Sequence, residues 1–395
     1  MRLRAYKKAE KQVDYGIILS VFLLAIIGML SYYVALTHDS RSVNVTKLML
    51  QQGVWYLLGA VIVFIIMQFK PKMIWRLTPA SYVAGLGVMV ALLFYYDPFL
   101  ETKTGSKNWF RFGSLTFQPA ELMKIVFILM LAYVITQHNL KYVKRTLKTD
   151  GILILKMILV MLPVAILLIL QDDFGTLLVF VAILGGVFIM SGISWKIIVP
   201  VIISFVVLGG GVLYLVTTDA GREFLYKVGF KSYQFARIDS WIDPFHDATG
   251  QSYQQAQALK AIGSGGMFGK GFNVSEIYVP VRESDMIFSV IGENFGFLGG
   301  CFVILVYFML IYRMIRVCFD TNNEFFSYIA TGVIMMILFH VFENIGANIG
   351  LLPLTGIPLP LISQGGSAII SNMIGIGLVM LMRYQYRPGE KLMDY

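Results

Sequence analysis

Four polar residues, Arg282, Glu283, Ser284 and Asp285, stand directly before a long apolar run that opens with Met286, Ile287 and Phe288. If that run crosses a membrane, Asp285 sits at its mouth, where a carboxylate is costly to desolvate and is a functional candidate by default. The same residue could instead only charge or cap the first helical turn, and the motif alone leaves both readings open. Glu121 and Lys124 lie three apart and so share one helix face. A mutual ion pair would make both tolerable inside a bundle; a cavity wall would put them to chemical use. Upstream, GSKNWFR at 105–111 sets Lys107 and Arg111 around Trp109. That mixture suits a phosphate-bearing lipid headgroup, and it equally resembles an interfacial anchor. Asp239, Asp243 and Asp247 recur four apart, with Pro244 interrupting. Three carboxylates could help hold a hard cation, although a solvated acidic turn accounts for Asp239 and Asp247 more simply. His246 alone is no metal signature, and HExxH, CxxC, Walker and GxSxG patterns are absent. Asp172, Asp173, Glu293 and Glu343 are further acids at or near apolar segments.

The elements that must position these residues are membrane spans. Of 395 residues, 57% are hydrophobic and only 14% charged, with a mean hydropathy of +0.73. Soluble domains carry about a quarter charged residues, so the composition predicts an all-α polytopic membrane protein. Ten segments of the right length follow one another: 15–36, 53–69, 78–96, 119–137, 152–170, 174–191, 197–218, 286–312, 325–345 and 365–382. The first exceeds the apolar core of a signal peptide and lacks a small-residue cleavage site, which predicts a retained span. Cys301 and Cys318 on one helix would stand roughly 25 Å apart, too far for a disulfide. Asn44 and Asn273 begin weak glycosylation sequons.

An even number of spans puts both termini on one side. Short segments on that side hold eighteen Lys and Arg, Arg2, Arg4, Lys7, Lys8 and Lys11 among them, against five in the short segments opposite. The bias predicts cytoplasmic termini, and the +9 net charge is topological rather than a nucleic-acid footprint. One long extracellular loop, about 219–285, joins the seventh and eighth spans. It is too short and too polar for a core of its own, so the chain forms a single integral domain over 1–395. Residues 253–262 read as an amphipathic helix, broken by glycines at 263–271 that suit turns and lack any P-loop spacing. Pro353, Pro358 and Pro360 stop regular helix across 344–367. Irregular backbone at that depth survives only beside protein or a wet cavity, so the ninth and tenth spans should frame one. Gly296, Gly299 and Gly300 in the eighth span would let a partner helix approach closely.

The chain resembles the SEDS family, the shape, elongation, division and sporulation proteins. The resemblance is carried by GSKNW at 105–109, QPAE at 118–121 with Lys124, QDDFGT at 171–176 and WIDP at 241–244. It continues with GGMFGKG at 265–271, YVP at 278–280 running to Asp285 and Phe288, and the stretch from Asn348 through Pro360 to the SQGGS at 363–367. Together these motifs cover 105–367 in family order, with short termini that lean toward the elongation branch. Two positions depart from the pattern: Asp172 stands where the family turn has proline, and Asn294 follows Glu293 where a second acid is common.

The resemblance implies a peptidoglycan glycosyltransferase of the bacterial plasma membrane. It would polymerise lipid II on the outer face beside a class B penicillin-binding protein that crosslinks. The family's essential aspartate falls on Asp285 and its charged pair on Glu121 and Lys124; Ser363 opens the last of the motifs that carry the resemblance. Joining an α-linked sugar diphosphate into a β-linked polymer takes one in-line displacement, with one carboxylate as base and cations on the leaving diphosphate. Asp285 fits the base. Lys107, Arg111, Lys124 and Arg282 are the candidate cations, with Trp109, Glu121 and Ser363 lining the substrate. An Mg²⁺ or Mn²⁺ ion is compatible with a diphosphate leaving group, with Asp243 and Asp285 as its candidate ligands. Two rivals remain: a flippase for lipid-linked precursors, and a non-catalytic scaffold that recruits the penicillin-binding protein.

Overall fold

A computed structural model describes residues 12–41, 43–113, 115–245, 250, 252–321 and 323–385. The basic residues at 2, 4, 7, 8 and 11, and His246 and Asp247, lie outside them. Helices run in the order α1 (Tyr15–Thr37), α2 (Val45–Met67), α3 (Pro71–Tyr95), α4 (Pro98–Thr104), α5 (Pro119–Lys141), α6 (Leu147–Leu170) and α7 (Phe174–Met190). They continue as α8 (Trp195–Val216), α9 (Asp219–Val228), α10 (Ser232–Ile242), α11 (Tyr253–Ser264), α12 (Ile287–Thr321), α13 (Glu324–Asn348) and α14 (Gly366–Gln385). Among the described residues one hairpin, β1 (Phe110–Phe112) with β2 (Leu115–Phe117), pairs Phe110 opposite Phe117. Nine of the described helices are long and apolar enough to cross a membrane, and α7, at 17 residues, is the shorter tenth. The protein is a multi-pass, all-α membrane protein.

The apolar pattern located the spans but trimmed their polar ends. Asn44 caps α2 by accepting a hydrogen bond from the Lys47 N–H at 2.9 Å, so the helix starts at Val45 rather than 53. Pro71 opens α3, at a position where a missing N–H costs nothing, and the helix therefore begins before 78. Helices α5, α13 and α14 form the interior, with Phe127, Ile128, Val333, Ile337, Ile376 and Val379 all buried. Helix α8 lies at the rim, buried only at Ile198 and Val216.

The expected eighth span is not one straight helix. At Gly296 the backbone turns to φ 64° and ψ −161°, dividing 287–295 from the rest of α12. This corrects the expectation that Gly296, Gly299 and Gly300 await a partner helix. A Cβ on Gly296 would collide with the Gly266–Gly269 turn, one on Gly299 with Phe295, and one on Gly300 would press on the Phe288 ring. The chain's own segments already use that closeness. Cys301 and Cys318 both lie on α12 and are free thiols.

The 219–285 segment folds as α9, α10 and α11 with two small apolar clusters. One gathers Val216, Leu225 and Phe235; the other gathers Ala258, Ala261, Val279 and Met286. Helix α11 begins where the sequence placed an amphipathic helix and ends two residues beyond it. Trp241 Nε1 donates to the Gly350 carbonyl at 3.1 Å, and Lys231 pairs with Asp172, so the segment sits over the broken stretch between α13 and α14 and over the α6–α7 turn.

Candidate functional site

Asp285 ends a tight turn that leads into α12. Val281 adopts φ 53° there, and the Ser284 and Met286 N–H groups both donate back to its carbonyl, at 3.1 and 3.4 Å. A β-branched residue in the left-handed region is strained and persists only where its surroundings fix it. The surroundings do so. Asn344 and Asn348, one turn apart on α13, each donate an Nδ2–H to the Asp285 carbonyl, at 2.7 and 2.9 Å. The Gln364 N–H donates to the Glu283 carbonyl at 2.9 Å, and Ser363 Oγ donates to the Ser284 carbonyl at 2.6 Å. Leu361, at φ 61°, is a second left-handed residue in the opposing stretch.

The Asp285 carboxyl is thus presented on a fixed backbone. It keeps partial contact with solvent while protein crowds it closely; a Cβ on Gly356 would lie 3.8 Å from Oδ2. Desolvation pushes its pKa up to about 6. The charge of Glu283 adds to the rise, while hydrogen bonds from its own backbone and from Ser284, and the charge of Arg237, pull the other way. The Arg237 guanidinium, on α10, is anchored by Nη1 to the Thr355 carbonyl at 3.2 Å. Thr355 in turn donates to Glu343 Oε1 at 2.6 Å.

The remaining candidates are distributed differently from the sequence expectation. Trp109 and Ser284 line one cleft together. Ser363 acts through its hydroxyl, which also accepts from the Leu359 N–H at 2.8 Å, as a strut between the two irregular segments. Lys107 lies in the loop after α4 and Arg111 on β1, 3.7 Å from Glu101 and 3.2 Å from Asp97, over the Tyr96 and Phe99 rings. Arg282 is 3% exposed and committed to the His38 carbonyl and to Ser275 Oγ. Glu121 and Lys124 are buried between α5, α13 and α14: Lys124 Nζ lies 2.9 Å from Glu121 and 3.0 Å from His340 Nε2, and Ser371 Oγ donates to the Glu121 carbonyl. Lys124 and Arg282 are therefore bound within the fold rather than gathered around Asp285.

Asp243 and Asp285 are the two candidate metal ligands, and among the described residues neither belongs to a group of three His, Cys, Asp or Glu side chains. Asp243 is exposed at the end of α10 and accepts from the Phe245 N–H at 3.3 Å. Among the described residues no three His, Cys, Asp or Glu side chains gather as a cation site. These residues do not fit a protein-held divalent ion, and no chemical step below runs through one.

The glycines at 263–271 prove to be a seam rather than a cradle. Gly265 and Gly269 press against the α12 break, where a Cβ on either would strike the carbonyls of Gly292 and Asn294. The Lys270 and Gly271 N–H groups donate to the Glu293 and Asn294 carbonyls at 2.9 and 3.2 Å. Glu293 Oε1 accepts from Lys270 Nζ and from the Glu276 and Ile277 N–H groups, at 3.1, 2.9 and 3.2 Å. Asn294 holds the Val274 N–H and the Val290 carbonyl, a structural part. Asp173 likewise ties Asn108 and Gln118 to the start of α7, at 2.8 and 3.1 Å. Asp172 has φ 56°, which a proline could not adopt, so this turn differs in shape from the proline-bearing one. The sequence reading missed Arg237, Asn344 and His340. Only the asparagines gave a signal, their i, i+4 spacing before the proline-rich stretch.

Residues 15–387 match the cell cycle protein family that groups FtsW, RodA and SpoVE. Peptidoglycan glycosyltransferase MrdB of Escherichia coli K12 is 33% identical over 329 residues, 82% of each protein. A probable peptidoglycan glycosyltransferase FtsW of Hydrogenovibrio crunogenus is 28% identical over 407 residues, 100% of this chain and 97% of its own. The crystal structure of the Thermus thermophilus rod shape determining protein RodA matches with a TM-score of 0.65 and 25% identity, over 96% of this chain and 98% of that one. A chain from a peptidoglycan synthase complex, solved to describe how polymerization and crosslinking are coordinated, matches with a TM-score of 0.76 over 96% and 99%. At 24% identity that last likeness is one of fold.

Proposed function

The chain belongs to the FtsW, RodA and SpoVE family of cell cycle proteins, and from that membership we propose that it is a peptidoglycan glycosyltransferase that joins lipid II into β-linked glycan. The acceptor hydroxyl attacks the anomeric carbon of the donor sugar. Its O–C bond forms as the C–O bond to the diphosphate breaks, its proton passes to the Asp285 carboxylate, and the lipid diphosphate leaves. One displacement inverts the centre, so α-linked donor gives β-linked product without a covalent enzyme intermediate. The observation that supports this role is the Asp285 carboxyl itself, raised to about 6 on a backbone that Asn344 and Asn348 hold still. The raised pKa still lies below neutral pH, so the carboxylate form is the main one there and is a stronger base than an ordinary aspartate.

Arg237 is the cation whose field reaches Asp285, and it is our choice to meet the departing diphosphate. Lys107 and Arg111 stand near the mouth to attract the headgroup. The Lys and Arg bias supports cytoplasmic termini, with Asp285 and the 219–285 segment facing outward from the plasma membrane. A class B penicillin-binding protein is the expected crosslinking partner. The RodA and MrdB likenesses support a part in elongation and shape. Purified protein in nanodiscs, given fluorescent lipid II, should produce a glycan ladder on a gel, lengthened by the partner. Transport of the lipid across the bilayer with no ladder would replace this reading by the flippase; neither activity, with the partner still bound, would favour the scaffold.

A further inference from the structure

Beside Asp285 lies a cleft of about 210 Å³ that the chemistry above leaves unused. It opens between α1, the first turns of α2, β2 and the 364–366 turn, and its walls include Trp55, Trp109, Gln51, Gln52, Gln364 and Ser284. None of its lining side chains carries a charge. Both indoles are half-buried, and the Trp55 ring lies so close to Gly366 that a Cβ there would collide with it. Ser284 lines the cleft and directly precedes Asp285 in the turn, so an occupant adjoins the base.

The lining selects among the parts of a lipid-linked sugar. A diphosphate would need cations, and the cleft has none. Gln52 is buried and donates to the Ser363 carbonyl at 3.3 Å, but a polyprenyl tail would still bury the Gln51 and Gln364 amides against hydrocarbon, at about 1–3 kcal/mol for each unpaired group. A sugar ring has apolar faces and a polar rim, which the two indoles and the Gln51 and Gln364 amides match. We propose that this cleft is the acceptor-sugar subsite, binding a neutral N-acetylated saccharide so that its free hydroxyl points at Asp285. The donor then lies outside the cleft, where Arg237 is fixed to Thr355. This inference rests on the glycosyltransferase reading for the direction of transfer, while the sugar chemistry rests on the cleft alone.

The test is photo-crosslinking with a diazirine-bearing, soluble N-acetylglucosaminyl–N-acetylmuramic acid disaccharide, its lactyl carboxyl capped as a neutral methylamide, on the full chain in nanodiscs, followed by peptide mapping. Label is expected on peptides covering 48–55, 109–116 and 364–366, displaced by unlabelled disaccharide and not by inorganic pyrophosphate. Trp109→Leu and Trp55→Leu should each weaken that displacement by about tenfold. Thr116→Val, on the exposed hairpin, is the milder variant should either indole change impair folding. Label confined elsewhere, or displacement by pyrophosphate, would overturn the assignment. The same preparations are assayed for lipid II polymerisation. Polymer without cleft label removes the subsite and leaves the enzyme; cleft label without polymer removes the enzyme and leaves a saccharide site.

Discussion

Replacing Lys124 by methionine asks whether this cation pairs or reacts. Lys124 is 1% and Glu121 4% exposed, with Nζ 2.9 Å from the carboxylate and 3.0 Å from His340 Nε2. Methionine keeps most of the volume and removes the charge, leaving a buried carboxylate without a counter-ion. Breaking such a pair from one side costs about 3–5 kcal/mol, and His340 loses a donor worth roughly 1 kcal/mol more. Removing both charges, by Glu121→Gln with Lys124→Met, removes the desolvation cost together with the attraction. The double variant should therefore lie within about 1 kcal/mol of wild type. A plain charge swap should rescue less well. It places a carboxylate against His340 Nε2, while Nδ1 already donates to the Met336 carbonyl at 2.6 Å. Two acceptors would then face each other until the ring gained a second proton, and adding His340→Gln should relieve the conflict. The assay is thermal unfolding in nanodiscs beside glycan-chain length from the same preparations. A well-folded neutral double variant that makes no polymer would refute the pairing account and return Lys124 to the substrate.

Three further outcomes follow from the same contacts. Asn348→Leu removes one of the two donors to the Asp285 carbonyl, and should lower the polymerisation rate by about tenfold with lipid II binding unchanged; equal loss of both would point to unfolding. Gly269→Ala combines φ 80° with a collision at Asn294, and should destabilise the α12 seam by about 1–3 kcal/mol; normal thermal stability would remove that seam from the account. A cysteine introduced at Gly250 should react with an impermeant maleimide on intact spheroplasts and one at Lys144 should not, and the reverse pattern would overturn the topology.

Much of the architecture was legible because hydropathy and charge are written locally. Ten apolar runs gave ten helices, and the polar-to-apolar junction at 282–288 marked Asp285. What escaped reading depends on distant contacts. Arg282 looked like a free cation beside the aspartate, yet its partners are His38 and Ser275. Arg237 acquires its position from Thr355, more than a hundred residues away. His340 gave no sign of its lysine, since nothing in α13 marks which face meets α5. The break at Gly296 was hidden in a run long enough to read as one continuous span, and only the glycine turn packed against it explains why that glycine bends. The proline-rich stretch was readable as irregular, but its pairing with 283–284 was not.

The central claim is that Asp285 takes the acceptor proton. Its most direct test is the pH dependence of polymerisation by wild type and Asp285→Asn, from about pH 5 to about pH 8, with each preparation checked for folding and lipid II binding. The base acts when ionised, and its raised pKa places the change near pH 6. Wild-type kcat/KM should level off above that point and fall about tenfold per pH unit below it. The asparagine variant keeps the shape and cannot accept the proton, so it should bind lipid II, remain folded, and lose polymerisation by roughly 10² or more at every pH. Long glycan chains from well-folded Asp285→Asn protein, or a wild-type profile with no break near pH 6, would contradict the assignment.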